Sequence, residues 1–487
     1  MSSIPVTRLP LRLAPDARRL IAKPFLSVDD VPAEGKTRVE QLIGRILDLS
    51  HEEVEATLDE LRRNFQKRHA DLDAVFERGF LAVAQSVPDA ANLPDHMRQL
   101  VGAYFMHEYS LEGAALTNPS IVAHPDQTGL PDDSLRVIVS LRSIGEGHIS
   151  SIEFRRGVVG QSGDIELEPP GVPMTGHRRS PTFDKPLFTA KLAEMGATDD
   201  PALRVLSALE DRFTMADLDG ALADVAGHEA ASTAVHHVAQ VMHWLASSNY
   251  KIAFPPESEL SQRVLFPNGP SESRGMEDAR LVRFVPTDGP AIYYAPYTAY
   301  DGFDILPQLI QTTDFMNFRI ATLNGPAAAN KGIAIFPRPI AGRYAALGRS
   351  DGENNYLMLS DHVRFWHEAE RIQVPTRPWE LMQIGNAGPP LETEAGWLVV
   401  THGVGPMRRY ALGAILLDLD DPSRVIGHLR DPFLVPSEQE RDGYVPNVVY
   451  SCGSIIHNNH LVIAYGASDT STGFATVPVD ALLSALT

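Results

Sequence analysis

Two rhythms of apolar residues divide this chain. Over residues 36–66, Val39, Leu42, Ile43, Ile46 and Leu47 recur at three- and four-residue spacing, which predicts an amphipathic helix. Ser50 followed by His51, Glu52 and Glu53 reads as a helix N-cap with an acidic first turn. Further helical runs are predicted over 68–86 and 94–107, so residues 1–112 are expected to form a helical region. From about residue 115 short apolar runs alternate with Gly, Pro, Asn and Asp. LRVIVSLRS (135–143), ARLVRFV (279–285), AIYYAPYTAY (291–300), GWLVVTHGV (396–404) and HLVIAYG (460–466) all have this strand signature. Many short strands over a long stretch predict a mainly β domain over 113–487, a propeller or a large sandwich, and the repeated strand, glycine turn, strand theme favours a propeller. One helical block interrupts the strands at about 189–250. There Val235, Val238, Val241, Met242 and Leu245 form a buried stripe flanked by His236, His237 and His243. No carboxylate or third histidine shares their face, so a stripe edge is expected rather than a metal site.

Charge and cysteine usage narrow the function classes. The chain has 487 residues and a net charge of −20, with 44% hydrophobic residues. That composition is globular, and the length asks for more than one structural unit. No Lys/Arg-rich run occurs, so neither nucleic acid nor an anionic membrane surface is an expected partner. A single cysteine, Cys452, excludes an internal disulfide and a multi-cysteine zinc site, and it reads as a small core residue. The N-terminus lacks the apolar core of a secretory signal and no window reaches the length of a membrane span, so the cytoplasm is the expected location.

Chemistry-bearing residues concentrate in the β region. Segment 273–285 sets Arg274, Glu277, Asp278 and Arg280 ahead of an apolar run, a costly grouping unless exposed or paired. Tyr293, Tyr294, Tyr297, Tyr300 and Asp301 follow, and aromatic faces with carboxylates suit the apolar faces and hydroxyl edges of sugar rings. Lys331, Arg338, Arg343 and Arg349 surround two short predicted strands, where converging cations would bind an anion such as phosphate. Glu392, Glu394, Trp397 and His402 follow a Gly-Pro-Pro turn. Glu438, Glu440, Asp442 and Tyr444 lie in a later loop. Each cluster has an ordinary alternative as a surface ion pair.

Taken in order, NPS (118–120), SLR (140–142), GMEDARL (275–281), YTAYDG (297–302), NKGIAIFP (330–337), GRYAALGR (342–349), GPPLETEAGWLVVTHGV (388–404), LGAILLDLDDP (412–422), VPNVVYSCG (445–453) and YGASDT (465–470) resemble glycoside hydrolase family 130. The likeness covers most of 115–485; the helical segments lie outside the compact family pattern. The resemblance implies a five-bladed β-propeller acting on short β-mannosides as an inverting hydrolase or an inverting phosphorylase. It implies Asp278 as the acid, relayed in phosphorolytic members through a mannose hydroxyl. It places Asn118, Ser120, Arg142 and Asp469 around the mannose, joined in our reading by Glu277, Tyr297, Asp301 and His402. Lys331 and Arg349 match two phosphate contacts, with Arg408 or Arg409 as a further cation.

Glu392 departs from the family, because many phosphorylases carry lysine at that turn. A carboxylate there would repel phosphate and serve as a base for water, with Glu440 as a second carboxylate. The leading expectation is therefore an exo-acting β-mannosidase, with β-1,2 linkage preferred on resemblance alone. A β-mannoside phosphorylase releasing α-mannose 1-phosphate is the alternative, and a catalytically silent sugar-binding propeller is the third reading. No metal or organic cofactor is expected; inorganic phosphate would be a co-substrate in the phosphorylase case. The helical region is an expected surface for homo-oligomers.

Overall fold

The computed structural model describes residues 4–25, 37–228 and 233–486. The parts of the predicted helices that fall at residue 36 and at 229–232 lie outside the described residues. The chain divides into two compact units. One comprises 1–15, 114–170 and 176–487, the other 16–113 and 171–175.

The larger unit is mainly β. In chain order its antiparallel groups begin with Ala115–Ala123, Leu135–Ile144 and Ser150–Val159. Gly275–Glu277, Ile292–Tyr300, Ile305–Thr312 and Asn317–Thr322 follow. Then come Ala334–Ile335, Tyr344–Gly348, Asn355–Ser360 and Ala369–Gln373. The next group is Gln383–Asn386, Gly396–Val404, Tyr410–Leu417 and Val425–His428. The last is Val449–Tyr450, His460–Ala467 and Ser471–Pro478. Its outer strand, Thr7–Leu13, comes from the other end of the chain and pairs antiparallel with Ser471–Pro478.

Apolar side chains link each group to the next. Phe154 packs on Phe315 and Phe318 between the first and second. Leu309 and Leu323 share a core with Ile335 and Met358 between the second and third. Leu347 and Trp397 do so between the third and fourth, and Leu412 and Ile463 between the fourth and last. Val462 and Phe474 return the circuit to Val137 and Leu141 of the first.

Two helix-rich regions accompany these strands in the sequence. Within the larger unit, Lys185–Glu194, Asp200–Ala208, Met215–His228 and Thr233–Ser247 pack around Phe188, Leu206, Leu218 and Met242. Asp184 and Asp199 cap the first two of these helices. Val235, Val238, Met242 and Leu245 are buried as the stripe predicts, Val241 is half-buried, and His236, His237 and His243 are exposed.

The smaller unit holds Arg38–Leu47, His51–Phe65, Leu72–Val83 and Asp95–Tyr104, with capping boxes at Thr37 and Ser50. A Cβ on Gly102 would lie 1.8 Å from the Phe76 carbonyl oxygen, so only glycine lets those two helices cross so closely. The region 1–112, expected to be helical, also contains strands. Leu20–Pro24 and Met106–Ser110 form an antiparallel pair in this unit, and Thr7–Leu13 belongs to the β unit. These strands are short and polar on one side, so helical periodicity nearby outweighs them in a sequence window.

Candidate active site

A cavity of about 300 Å³ opens among the sheet groups, lined by residues from all of them. Asn118, Arg142, Glu277, Asp278, Lys331, Arg349, Gln383, His402, Arg408, Tyr410, Tyr450 and Asp469 supply its polar wall. The backbone explains how strand residues converge there. Successive residues of a strand point to opposite faces, yet Glu277 and Asp278 both reach the cavity. Asp278 directly follows the strand Gly275–Glu277 and has φ +56°, a left-handed turn that redirects its side chain. Asn118 has φ +46° where the register between Ala115–Ala123 and Leu135–Ile144 shifts, a bulge. Arg408 (φ +53°) and Asp469 (φ +49°) are held the same way. Such conformations cost energy in non-glycine residues and persist where packing over-determines them. Gly275 allows the approach behind Glu277: a Cβ there would sit 2.2 Å from Ser150 Oγ.

Asp278 is tightly oriented. Asn118 Nδ2 donates to its Oδ1 at 2.6 Å, and an Arg142 guanidinium nitrogen lies 3.7 Å from the same oxygen. Glu277 is bound on both sides, accepting from Arg142 at 2.7 Å and from Lys331 Nζ at 2.9 Å. It is a bridge between two cations rather than a free base. Burial pushes the Asp469 carboxyl up to about 6, with the Asp278 charge adding to the rise and Arg142 opposing it.

On the opposite wall His402 is held well below its ordinary range by burial, Arg349 and Arg280, and is neutral. Its Nδ1 lies 3.0 Å from the Asn386 carbonyl oxygen, which only accepts, so Nδ1 carries the proton. Nε2 therefore accepts from Arg349 at 3.1 Å. The histidine is an uncharged prop that aims a guanidinium. Arg349 Nε is buried with no hydrogen-bond partner among the described residues. Arg280 is buried beside the lining residue Tyr450, donating to its hydroxyl at 2.7 Å, to the Asn386 carbonyl at 3.0 Å and to the Asn386 Oδ1 at 2.6 Å.

The cavity gathers Asn118, Arg142, Glu277, Asp278, Lys331, Arg349, His402 and Asp469 from the residues read in the sequence. Five others lie elsewhere. Ser120 is buried behind the wall, where its Oγ accepts the Leu281 amide at 3.1 Å. Tyr297 is buried against Glu272, to which its hydroxyl donates at 2.7 Å, and against Gln308. Asp301 sits at a hairpin tip, accepting the Phe303 and Asp304 amides.

The two proposed bases for water require correction. Glu392 is 44% exposed and held by Arg338 in a two-pronged pair at 2.8–3.1 Å, outside the cavity. Glu440 is 3% exposed and fully engaged by Arg8, the Tyr465 hydroxyl at 2.6 Å and the Ser437 amide at 2.9 Å. Gln383, Tyr410 and Tyr450 escaped the sequence reading, because a lone glutamine or tyrosine in an apolar run carries no local signal of what it faces.

The pocket joins an oriented carboxylate to several cations. The family profile described as beta-1,4-mannooligosaccharide phosphorylase matches residues 235–487. The 1,2-beta-oligomannan phosphorylase of Thermoanaerobacter sp. (strain X514) is 34% identical over 223 residues, 44% of this chain and 72% of the relative. The beta-1,2-mannobiose phosphorylase of the same organism is 36% identical over 220 residues, 44% and 70% of the two chains. The solved structure of beta-1,2-mannobiose phosphorylase from Listeria innocua with beta-1,2-mannobiose overlays with a TM-score of 0.45 at 21% identity, covering 78% of this chain and 93% of that one. The chain belongs to glycoside hydrolase family 130.

Proposed function

We propose that the chain is an inverting β-mannoside phosphorylase on a five-bladed β-propeller, with β-1,2-linked manno-oligosaccharides as substrates. The observation that carries this reading is the charge arrangement around Arg349. Lys331, Arg349, Arg408 and Arg142 meet only three carboxylates in the cavity, Glu277, Asp278 and Asp469. One of those, Glu277, already bridges two cations. Arg349 is aimed by a neutral histidine and keeps a buried N–H without a partner among the described residues, an arrangement suited to a phosphate oxygen. The hydrolytic expectation rested on Glu392 and Glu440, and both are bound elsewhere. The names of the relatives support the phosphorolytic reading and the β-1,2 linkage. The circuit of sheet groups supports the propeller.

In this scheme the terminal mannose lies against Asn118, Arg142 and Asp278. A phosphate oxygen held by Arg349 and Lys331 attacks the anomeric carbon from the face opposite the leaving oxygen. The glycosidic C–O bond breaks as the new C–O–P link forms. Asp278 supplies the proton, through a sugar hydroxyl, to the departing saccharide. The products are α-mannose 1-phosphate and a chain one sugar shorter. The test is product analysis on β-1,2-mannobiose with and without inorganic phosphate. Phosphate-dependent α-mannose 1-phosphate is expected; free mannose released equally fast without phosphate would overturn the proposal.

A further inference from the structure

The helical unit brings together side chains that no part of the reaction uses. Ser50 caps the helix His51–Phe65 and fixes His51 as its first residue. Glu55 lies four residues on, one turn further along the same face. The helix Asp95–Tyr104 packs beside it, with Val54, Leu58, Leu100 and Val101 buried in the shared core and Arg62 donating to Gln99 at 2.6 Å. That packing carries His96 to the first helix, so that His51 Nδ1 and His96 Nε2 are 3.4 Å apart. The rings meet nearly edge to face, at 73° with centroids 4.8 Å apart. Ligand atoms of His51, Glu55 and His96 all lie within 4.8 Å of one another.

We propose that His51, Glu55 and His96 form a binding site for a divalent transition-metal ion of the zinc class. The nitrogen separation is the main argument. Two imidazoles bound to one tetrahedral ion at about 2.0–2.1 Å place their nitrogens about 3.3–3.4 Å apart. As a simple N–H···N hydrogen bond, 3.4 Å lies beyond the usual reach of about 3.2 Å. Glu55 supplies an anionic oxygen within 4.8 Å of both nitrogens, so a shift of no more than about 1.5 Å completes a triangular face of tetrahedral dimensions. Two nitrogens and one carboxylate suit zinc, and also cobalt, nickel and copper, over magnesium or calcium. His51 is exposed and the other two are half-buried, so the fourth position faces water.

The two helix N-termini present partial positive charge, which opposes a cation. Glu52, Glu53 and Asp95 in the same first turns, with Glu55 itself, offset it. A bound ion would tie together two helices that are distant in sequence and add to the stability of the helical unit by mass action. The pattern is invisible along the chain, because His96 arrives only by helix packing.

The test uses the untagged full chain, stripped of metal and titrated calorimetrically with zinc chloride; circular dichroism checks that each variant folds. One ion per chain is expected, with a rise in melting temperature. Cobalt(II) at the same site should give the intense visible absorption of a four-coordinate ion. His96→Ala should abolish stoichiometric binding and Glu55→Gln should weaken it at least about tenfold, with His243→Ala, on a helix of the other unit, as the unaffected control. Absence of saturable binding, or binding that survives at full stoichiometry in both His96→Ala and Glu55→Gln, overturns the proposal.

Discussion

Replacing Arg349 with alanine leaves the sheet that carries it intact and removes one specific charge. The side chain follows the strand Tyr344–Gly348, has no carboxylate partner among the described residues and is propped by neutral His402. Its contribution is therefore directed at a ligand rather than at folding. At 4 Å and an effective dielectric of 20, a unit charge pair is worth about 4 kcal/mol, and truncating one partner of a buried hydrogen-bonded pair costs about 2–5 kcal/mol. A loss of about 3 kcal/mol corresponds to roughly a 150-fold fall in kcat/KM for phosphate. Arg349→Lys keeps the charge but loses the fork geometry, and a loss of about tenfold is expected. The assay is steady-state phosphorolysis of β-1,2-mannobiose with phosphate as the varied substrate. Thermal melts of both variants check that folding is unchanged. If Arg349→Ala folds normally and its kcat/KM for phosphate stays within about threefold of the parent, the cationic wall is not the phosphate site.

Further expectations follow from the same geometry. Asp278→Asn should retain the contact to Asn118 and the parent melting temperature, while turnover falls by about 10²–10⁴, the range of a lost general acid. Glu392→Gln should leave both turnover and phosphate dependence unchanged and shift stability by no more than about 1 kcal/mol, because the pair with Arg338 is half-exposed; a large loss of activity would return Glu392 to the reaction. Asp469 has a folded pKa of about 6, above its ordinary 3.8, so the folded state binds its proton more tightly. Stability is then relatively lost as pH rises through that interval, by at most about 3 kcal/mol. Asp469→Asn should gain stability relative to the parent above about pH 6 compared with below about pH 4, read as the difference between two pairs of melts. Arg8→Ala leaves buried Glu440 short of its cation and should cost about 1–3 kcal/mol at neutral pH, measured by denaturant midpoint. That loss should fade as acid protonates Glu440, whose carboxyl is held below its ordinary range by Tyr465, Ser437 and Arg8 against the effect of burial.

Asp278 and its neighbours were legible because motif order carries them: Asp278, Asn118, Arg142, Lys331, Arg349 and Asp469 sit in short segments whose spacing is informative. The strand runs were legible because burial on both faces makes them continuous and apolar, as in Gly396–Val404, where every residue is buried. What failed was partner assignment. Glu392 follows a rigid Gly-Pro-Pro turn and reads as a presented carboxylate, but Arg338, 54 positions away, captures it while stacking on Trp397. Glu440 is claimed by Arg8 from the far end of the chain. A sequence window sees a charge and cannot see the opposite charge that folding brings to it. The left-handed turns at Asn118 and Asp278 were hidden for a related reason: alternation along a strand assigns neighbours to opposite faces, and only the kink overrides it.

The strand Thr7–Leu13 pairs with Ser471–Pro478, which is synthesised some 460 residues later. At about 5–20 residues per second, this strand waits roughly half a minute to a minute and a half for its partner to leave the ribosome. During that time its backbone donors and acceptors form an unpaired edge, open to other chains. Arg8 and Arg12 lie on this strand, and their charges disfavour adventitious pairing before the sheet is ready. The ion pair between Arg8 and Glu440 likewise forms only after residues more than 430 positions apart have found each other.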